Sequence, residues 1–449
     1  MSRVKPVRAM LITAVAVVAI TCAATANAAG PIRQGGDPKD PVGPFPAESV
    51  PTAAETVGRA LGNWIHDHRD DPGAGGVRVL KDRKTVLVYW KGVVPDGLQR
   101  LAASQAVPVT FQPAAYSRAE LTAASIAVMD NNPGVVSAAG SEPDYSGISV
   151  VVSAKAPANA FAQLKATGSV PVTLRWIGDP TPLDGRATTD SRATTANGCP
   201  SPARCGDWAP FFGGGLMRIQ GVSNSACSNG ASLYAGSYNY MSTAWHCSAD
   251  GSGTWVGYDS SSTIGTVKDN THIKADHDFM IIGTASNLGR IWYGDWKTTT
   301  SVRVAGVEHP ESASTGPVAC SCGASGNGHY QYIIHDNDYW TVRGRRVGPG
   351  FYVEEYPDRC VNHEPYCDLY PATGWVQNSD SGSPIVRGSS YYLVDGFLSA
   401  GGWGRSPYCA PGRHPGFDGS QGTCFTEYWA SYADTDIATF NGTLHIKTG

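Results

Sequence analysis

The chain has 449 residues, 34 Lys and Arg against 38 Asp and Glu, and a formal net charge of -4. That length exceeds one ordinary domain, so two or more are expected. Mild acidity without a basic run argues against nucleic acid or an anionic membrane as a partner.

The N-terminus carries Arg3, Lys5 and Arg8, then an apolar run over 9–20, then Ala26-Asn27-Ala28. A basic head, a short apolar middle and a small-x-small end describe a secretory signal over residues 1–28. The apolar run is too short to span a bilayer. Thr21 before Cys22 fits a lipoprotein box poorly, so the mature protein is expected to be exported and soluble. The ten cysteines that remain are an even number, which in an exported chain predicts up to five disulfides. Cys320-Ser321-Cys322 beside histidines could imitate metal ligands, but without any CxxC pair no metal site and no cofactor are expected.

Two halves obey different rules. Residues 29–198 contain no cysteine; from Cys199 onward there are ten, with nine of the twelve tryptophans. The Pro/Gly-rich stretch 30–52 reads as disordered, and residues 29–75 as flexible apart from a short helix near Glu55–His66. Residues 76–180 read as a small α+β unit. Gly76–Lys91 alternates like two strands around a polar turn, Leu98–Ser104 is helical, and Val107–Phe111 is a strand. Arg118–Met129 is a helix, Ile148–Ser153 a strand, Ala158–Ala166 a helix and Val170–Trp176 a last strand. This alternation predicts one open sheet backed by helices. Residues 181–198, polar and carrying Arg186 and Arg192, read as a cleavable linker. The first part is expected to be removed, with the mature chain starting around 187–199.

From 199 to 449 short strands recur between Gly, Ser, Asn and Asp turns. They are Leu216–Val222, Ser232–Ala235, Tyr240–Trp245, Gly253–Tyr258, Ile264–Lys268, Phe279–Ile282, Arg303–Val307, Gln331–Ile334, Ile385–Val386 and Tyr392–Leu398. This spacing predicts an all-β sandwich or barrel. One helix is expected near Trp429–Phe440, and Asn337–Thr373 reads as a long insert able to overhang a site. Its Glu354, Glu355 and Asp358 read as a solvated face.

Three local patterns carry chemistry. Asn378-Ser379-Asp380-Ser381-Gly382-Ser383-Pro384, followed by Ile385 and Val386, places a serine on a tight turn feeding a buried strand. Alone it is also ordinary loop composition. Ser242-Thr243-Ala244-Trp245-His246-Cys247 delivers a histidine at a strand end; a bridged Cys247 would pin its backbone, as a general base needs. Asp276-His277-Asp278 opens the apolar run Phe279–Ile282, where a buried carboxylate demands partners. Singly, a surface histidine and a turn aspartate are the commoner cases. Their order along the chain, His246, Asp278, Ser381, is that of the chymotrypsin-type triad.

TAWHC, DFMII and SDSGSP resemble the His, Asp and Ser boxes of chymotrypsin-like serine peptidases, over roughly 213–440. Ser399-Ala400-Gly401 resembles that family's strand beside the substrate. LVYWKG (Leu87–Gly92) and PDYSG (Pro143–Gly147) resemble the propeptide of the bacterial secreted branch, the streptogrisin and α-lytic-protease type. The resemblance implies an all-β double β-barrel of residues 199–449, preceded by an α+β pro-domain that acts as folding catalyst and inhibitor. It implies a secreted endopeptidase made as a zymogen, monomeric, with polypeptide substrates. Ser381 would be the nucleophile, His246 the proton carrier and Asp278 the group that orients the imidazole. The N–H groups of Ser379 and Ser381 would form the oxyanion hole. Ser399 would bond near Asp278, Ser399–Gly401 would pair with the substrate backbone, and Asp380 would make an internal ion pair. The implied disulfide is Cys227–Cys247, with Cys409 and Cys424 bracing the pocket region.

The sequence departs from the family at three places. Ser379 and Ser383 stand where glycines are usual, so reduced activity is expected. Gln377 stands where a cysteine is usual. Trp375, where trypsin-like enzymes carry an acid, excludes Lys/Arg preference. Gly401 and Gly402 leave room on one wall, which predicts an apolar or aromatic P1 side chain. Two other classes remain open: a peptidase-fold binding module that lost turnover through Ser379, and an exported esterase, which uses the same acyl-transfer machinery.

Overall fold

The computed structural model describes residues 52–80, 84–157, 159–164, 169–175, 179–182, 203–222, 225–248, 250–258, 260–310, 319–323, 326–327, 331–355, 376–388, 392–402, 405–406, 424–425 and 427–449. The expected signal, the linker beyond Pro182, and Trp375, Cys199, Cys360, Cys367 and Cys409 lie outside them. The described chain is mostly strand, with four α-helices: α1 (Ala53–Asp67), α2 (Asp96–Ala103), α3 (Arg118–Asn131) and α4 (Ala433–Ala438). No described helix is long and apolar enough to cross a membrane. Capping boxes start α1 and α3. Thr52 with Glu55, and Ser117 with Glu120, satisfy the N-terminal amides that a helix leaves unpaired.

Two sheets hold most of the described strands. The nine-stranded sheet runs Cys227–Ser228, Leu216–Ile219, Thr254–Gly257, Thr263–Thr266, Phe279–Thr284, Tyr238–Thr243, Ser232–Ala235 and His445–Ile446, with Ile273–Lys274 beside Phe279–Thr284. All but the last strand of that path come from one stretch of chain. The fourteen-stranded sheet centres on Pro384–Gly388, Tyr392–Gly401, Glu427–Tyr432, Arg345–Glu355 and Gln331–Val342. It continues past Gln331–Val342 into Val136–Ser141, Ile148–Val152 and Val172–Leu174, strands of the cysteine-free half.

This join is built, not grazing. Ala139 and Ala138 pair with Tyr339 and Trp340, and Ala138 and Val151 share a core with Trp340, Val342, Val347, Tyr352, Ala400 and Trp429. Arg175 reaches the fully buried Asp338 at 2.8 Å, and Trp429 Nε1 donates to the same carboxylate at 3.1 Å. Arg118 donates to Asp336 at 2.9 Å. Gly140 has to be glycine: a Cβ there would stand 1.6 Å from Asp338 Oδ1. A separate three-stranded sheet, Ala74–Val79, Val86–Trp90 and Val109–Pro113, packs on α1 and α2.

Several expectations are corrected. The cysteine-free half does not form one open sheet; its strands divide between the three-stranded sheet and the edge of the fourteen-stranded one. The helix expected over 158–166 is a 3-10 turn, Phe161–Gln163, among the described residues. Of the insert expected over Asn337–Thr373, residues 337–355 instead lie in a long hairpin of the main sheet, Gln331–Val342 with Arg345–Glu355, and residues 356–373 lie outside the described residues. Trp429 lies in the strand Glu427–Tyr432, and only Ala433–Ala438 is helical.

Candidate active site

Each sheet brings two polar side chains to one end of an antiparallel strand pair. In the nine-stranded sheet Thr243 lies opposite Met280. His246 follows the first strand by three residues and Asp278 precedes the second by one, so both leave at the same end. In the other sheet Pro384 lies opposite Phe397, which puts Ser381 and Ser399 together by the same logic. The two ends then meet.

His246 Nε2 is 2.7 Å from Ser381 Oγ, and His246 Nδ1 is 2.8 Å from Asp278 Oδ2. The backbone N–H of His246 also donates to Asp278 Oδ1, at 3.0 Å. Ser399 Oγ donates to Asp278 Oδ2, and Trp340 Nε1 donates to Ser399 Oγ at 2.9 Å. Asp278 is 2 % exposed, while His246 and Ser381 have no exposure. A buried carboxylate with this set of donors fixes the imidazole by geometry. The Cys227–Cys247 disulfide is present and anchors the residue after His246.

The turn that carries Ser381 leaves two backbone N–H groups open. Ser379 adopts φ +86, the left-handed region that glycine occupies without strain. Neither the Ser379 N–H nor the Ser381 N–H donates to an acceptor among the described residues. Ser228 braces the turn from behind: its Oγ donates to the Ser379 carbonyl at 2.9 Å and its N–H to the Ser381 carbonyl at 2.9 Å. Gly382, at φ +87, is pressed against the His246 strand; a Cβ would come 2.4 Å from Thr243 Oγ1. Ser383, the other serine in a glycine place, is not in the left-handed region, so it carries no such strain.

Asp380 is fully buried, accepting from the Gln377 N–H at 2.8 Å. The opposite charge acting on it is the Arg204 guanidinium. Burial pushes Arg204 down to about 9, and Asp380 is the leading attraction that opposes this. Arg204 also donates to the Trp292 and Gly294 carbonyls, at 2.6 and 2.9 Å. Gln377 sits directly opposite Cys424 in a short sheet with Arg405–Ser406, and Cys424 and Cys205 are each in a disulfide.

The room expected at Gly401 and Gly402 is filled on the Cβ side. A Cβ on Gly401 would lie 2.6 Å from the Phe425 ring, and one on Gly402 3.2 Å from Glu427 Cβ. Beside them burial pushes the Glu427 carboxyl up to about 7, against the pull of its Tyr352 hydrogen bond. The groove edge of Ala400 and Gly401 is already paired: Thr181 and Pro182 form an antiparallel strand against Gly401 and Ala400. Sequence reasoning missed that strand, together with Trp340 and Ser228. Single serines and tryptophans give no pattern, and two linker residues give no periodicity.

No protein-family model and no curated protein matches the chain. Solved structures of bacterial serine proteases do. Thermobifida fusca protease A is 18% identical, over 53% of this chain and 98% of that one, at a TM-score of 0.35. The Nocardiopsis protease is 14% identical, over 53% and 98%, at 0.34. Cellulomonas bogoriensis chymotrypsin is 19% identical, over 53% and 98%, at 0.33. At such distance residue roles do not transfer.

Proposed function

We propose that the chain is a secreted serine endopeptidase made as a zymogen, with residues 199–449 as its double β-barrel and residues 76–180 as its propeptide. The single observation that carries the reading is the continuous line from Asp278 through His246 to Ser381. The donor–acceptor distances of 2.8 and 2.7 Å are those of working proton relays. Ser381 Oγ attacks the peptide carbonyl as its proton passes to His246 Nε2. Asp278 keeps Nδ1 protonated and stabilises the imidazolium, which then protonates the leaving amine. Water repeats the sequence to release the acyl group. The N–H groups of Ser379 and Ser381 hold the oxyanion, each donor lowering the barrier by about 3 kcal/mol.

The preference for polypeptide over a simple ester rests on the strand edge at Ala400–Gly401, where Thr181–Pro182 already pairs as an added strand would. Ser381 has no exposed surface, and the paired Thr181–Pro182 at the start of the linker supports reading the segment up to it as inhibitory. Leu183 is the next residue in the sequence, which supports reading the P1 preference as apolar, with maturation cleavage in the linker around 187–199.

The test is labelling of the secreted protein by a fluorophosphonate, with casein hydrolysis, beside Ser381→Ala. Labelling and hydrolysis confined to the unsubstituted protein are expected. Absence of both would leave a binding module, and label without proteolysis an esterase. Among peptide p-nitroanilides, Thr-Pro-Leu is expected to be cleaved and Thr-Pro-Lys spared.

A further inference from the structure

Away from the triad, three ligand-type side chains meet from far-apart stretches of chain. His66 comes from the last turn of α1, His309 from just beyond the strand Ser301–Val307, and Asp434 from the first turn of α4. His309 Nδ1 lies 2.9 Å from both Asp434 oxygens, and His66 Nε2 lies 3.5 Å from Oδ2. The two imidazoles stack at 4.1 Å, and the potential ligand atoms all lie within 4.8 Å of one another.

These separations are close to what a metal ion needs. Ligands at about 2.1 Å around a tetrahedral zinc stand about 3.4 Å apart, so small side-chain rotations complete the shell. Two imidazole nitrogens with one carboxylate are a borderline donor set, unsuited to calcium or magnesium, which take oxygen. The His66 and Asp434 side chains keep 23% and 26% exposure, leaving a path for the ion and a place for water as fourth ligand. His309 is held from behind by the Tyr432 ring at 4.3 Å, and Tyr432 in turn accepts from the Asn337 N–H at 2.7 Å.

We propose that His66, His309 and Asp434 form a binding site for a divalent transition ion of the zinc class, which clips α1 to the body of the protein. The ligands are split between α1 and the region beyond residue 300. The ion therefore binds only the docked arrangement and stabilises it by mass action. Next to the cluster, Arg59 of α1 pairs with Glu308 at 2.6 Å, so the clip reinforces a contact that stands without it. The inference does not depend on hydrolytic activity.

The experiment uses the untagged full chain carrying Ser381→Ala, so that it stays whole. Zinc chloride is titrated calorimetrically near neutral pH, cobalt(II) is followed by its visible absorption, and melting temperature is measured with and without zinc. One equivalent bound, a tetrahedral cobalt spectrum and a zinc-dependent rise in melting temperature are expected. His66→Ala and Asp434→Asn should each weaken binding about 10-fold or more. His66→Gln keeps a polar side chain of similar reach without the imidazole, and should melt like its parent in metal-free buffer while losing the zinc response. Absence of binding, or a zinc response that persists in His66→Gln, overturns the proposal.

Discussion

The two large sheets use one device and face different fates. Each sends a pair of polar side chains off the same end of two antiparallel strands: His246 with Asp278 from one, Ser381 with Ser399 from the other. The nine-stranded sheet is closed by its own stretch of chain and the C-terminal strand His445–Ile446. The fourteen-stranded sheet leaves an edge that strands from residues 136–174 continue, and a second at Ala400–Gly401 that Thr181–Pro182 covers. His246 and Asp278 thus belong to a self-contained unit. Ser381 and Ser399 belong to a unit completed by the cysteine-free half.

The largest way to break this comparison is at the junction of the sheets. Asp278→Asn should keep the fold but favour the wrong histidine tautomer, lowering kcat by about 10,000-fold with KM little changed, read by p-nitroanilide hydrolysis. Next is the shared edge. In a Ser381→Ala background, Gly140→Ala drives a Cβ into Asp338, which Arg175 and Trp429 hold in place. Disrupting that buried pair should cost about 3–5 kcal/mol, with a lower melting temperature and faster tryptic nicking of residues before 183.

Between the two sheets, beside Phe212, Trp292 and Asn229, burial is the leading cause that pushes the Asp207 carboxyl up to about 8. A carboxyl raised on folding contributes fully below its unfolded value near 4 and loses that contribution as pH climbs to 8. Melting temperature should fall across that window by the equivalent of about 5 kcal/mol, and Asp207→Asn should flatten the profile. The smallest effect is at Ser379. Ser379→Gly relieves a left-handed serine, adding about 1 kcal/mol of stability and raising kcat a few-fold, measured by melting and hydrolysis together.

The three boxes were legible because each is local: a strand end, its neighbour and a turn lie within a few residues of one another. The strand Val136–Ser141 was not. Its sequence, VSAAGS, has one β-branched residue, and it is held by Trp340 and Asp338 across nearly 200 residues of chain. Gly348-Pro349-Gly350 similarly disguises the strand Arg345–Glu355, which hydrogen bonds from both neighbours keep extended. At Trp429 the aromatic run YWASY favours a strand, and sheet pairing overrode the helical spacing read there. The ligand cluster of His66, His309 and Asp434 has no signature at all, since its members are 243 and 125 residues apart.

The Thr181–Pro182 strand has one more consequence. Two residues pair too weakly to occupy a groove from solution, but on a continuous chain their effective concentration is in the millimolar range. Severing the chain beyond them does not by itself dilute them, because they remain joined to a region that shares a sheet and a core with the rest. Were the chain cut there, cleavage and release would be separate clocks, the first set by chemistry and the second by the lifetime of a sheet edge.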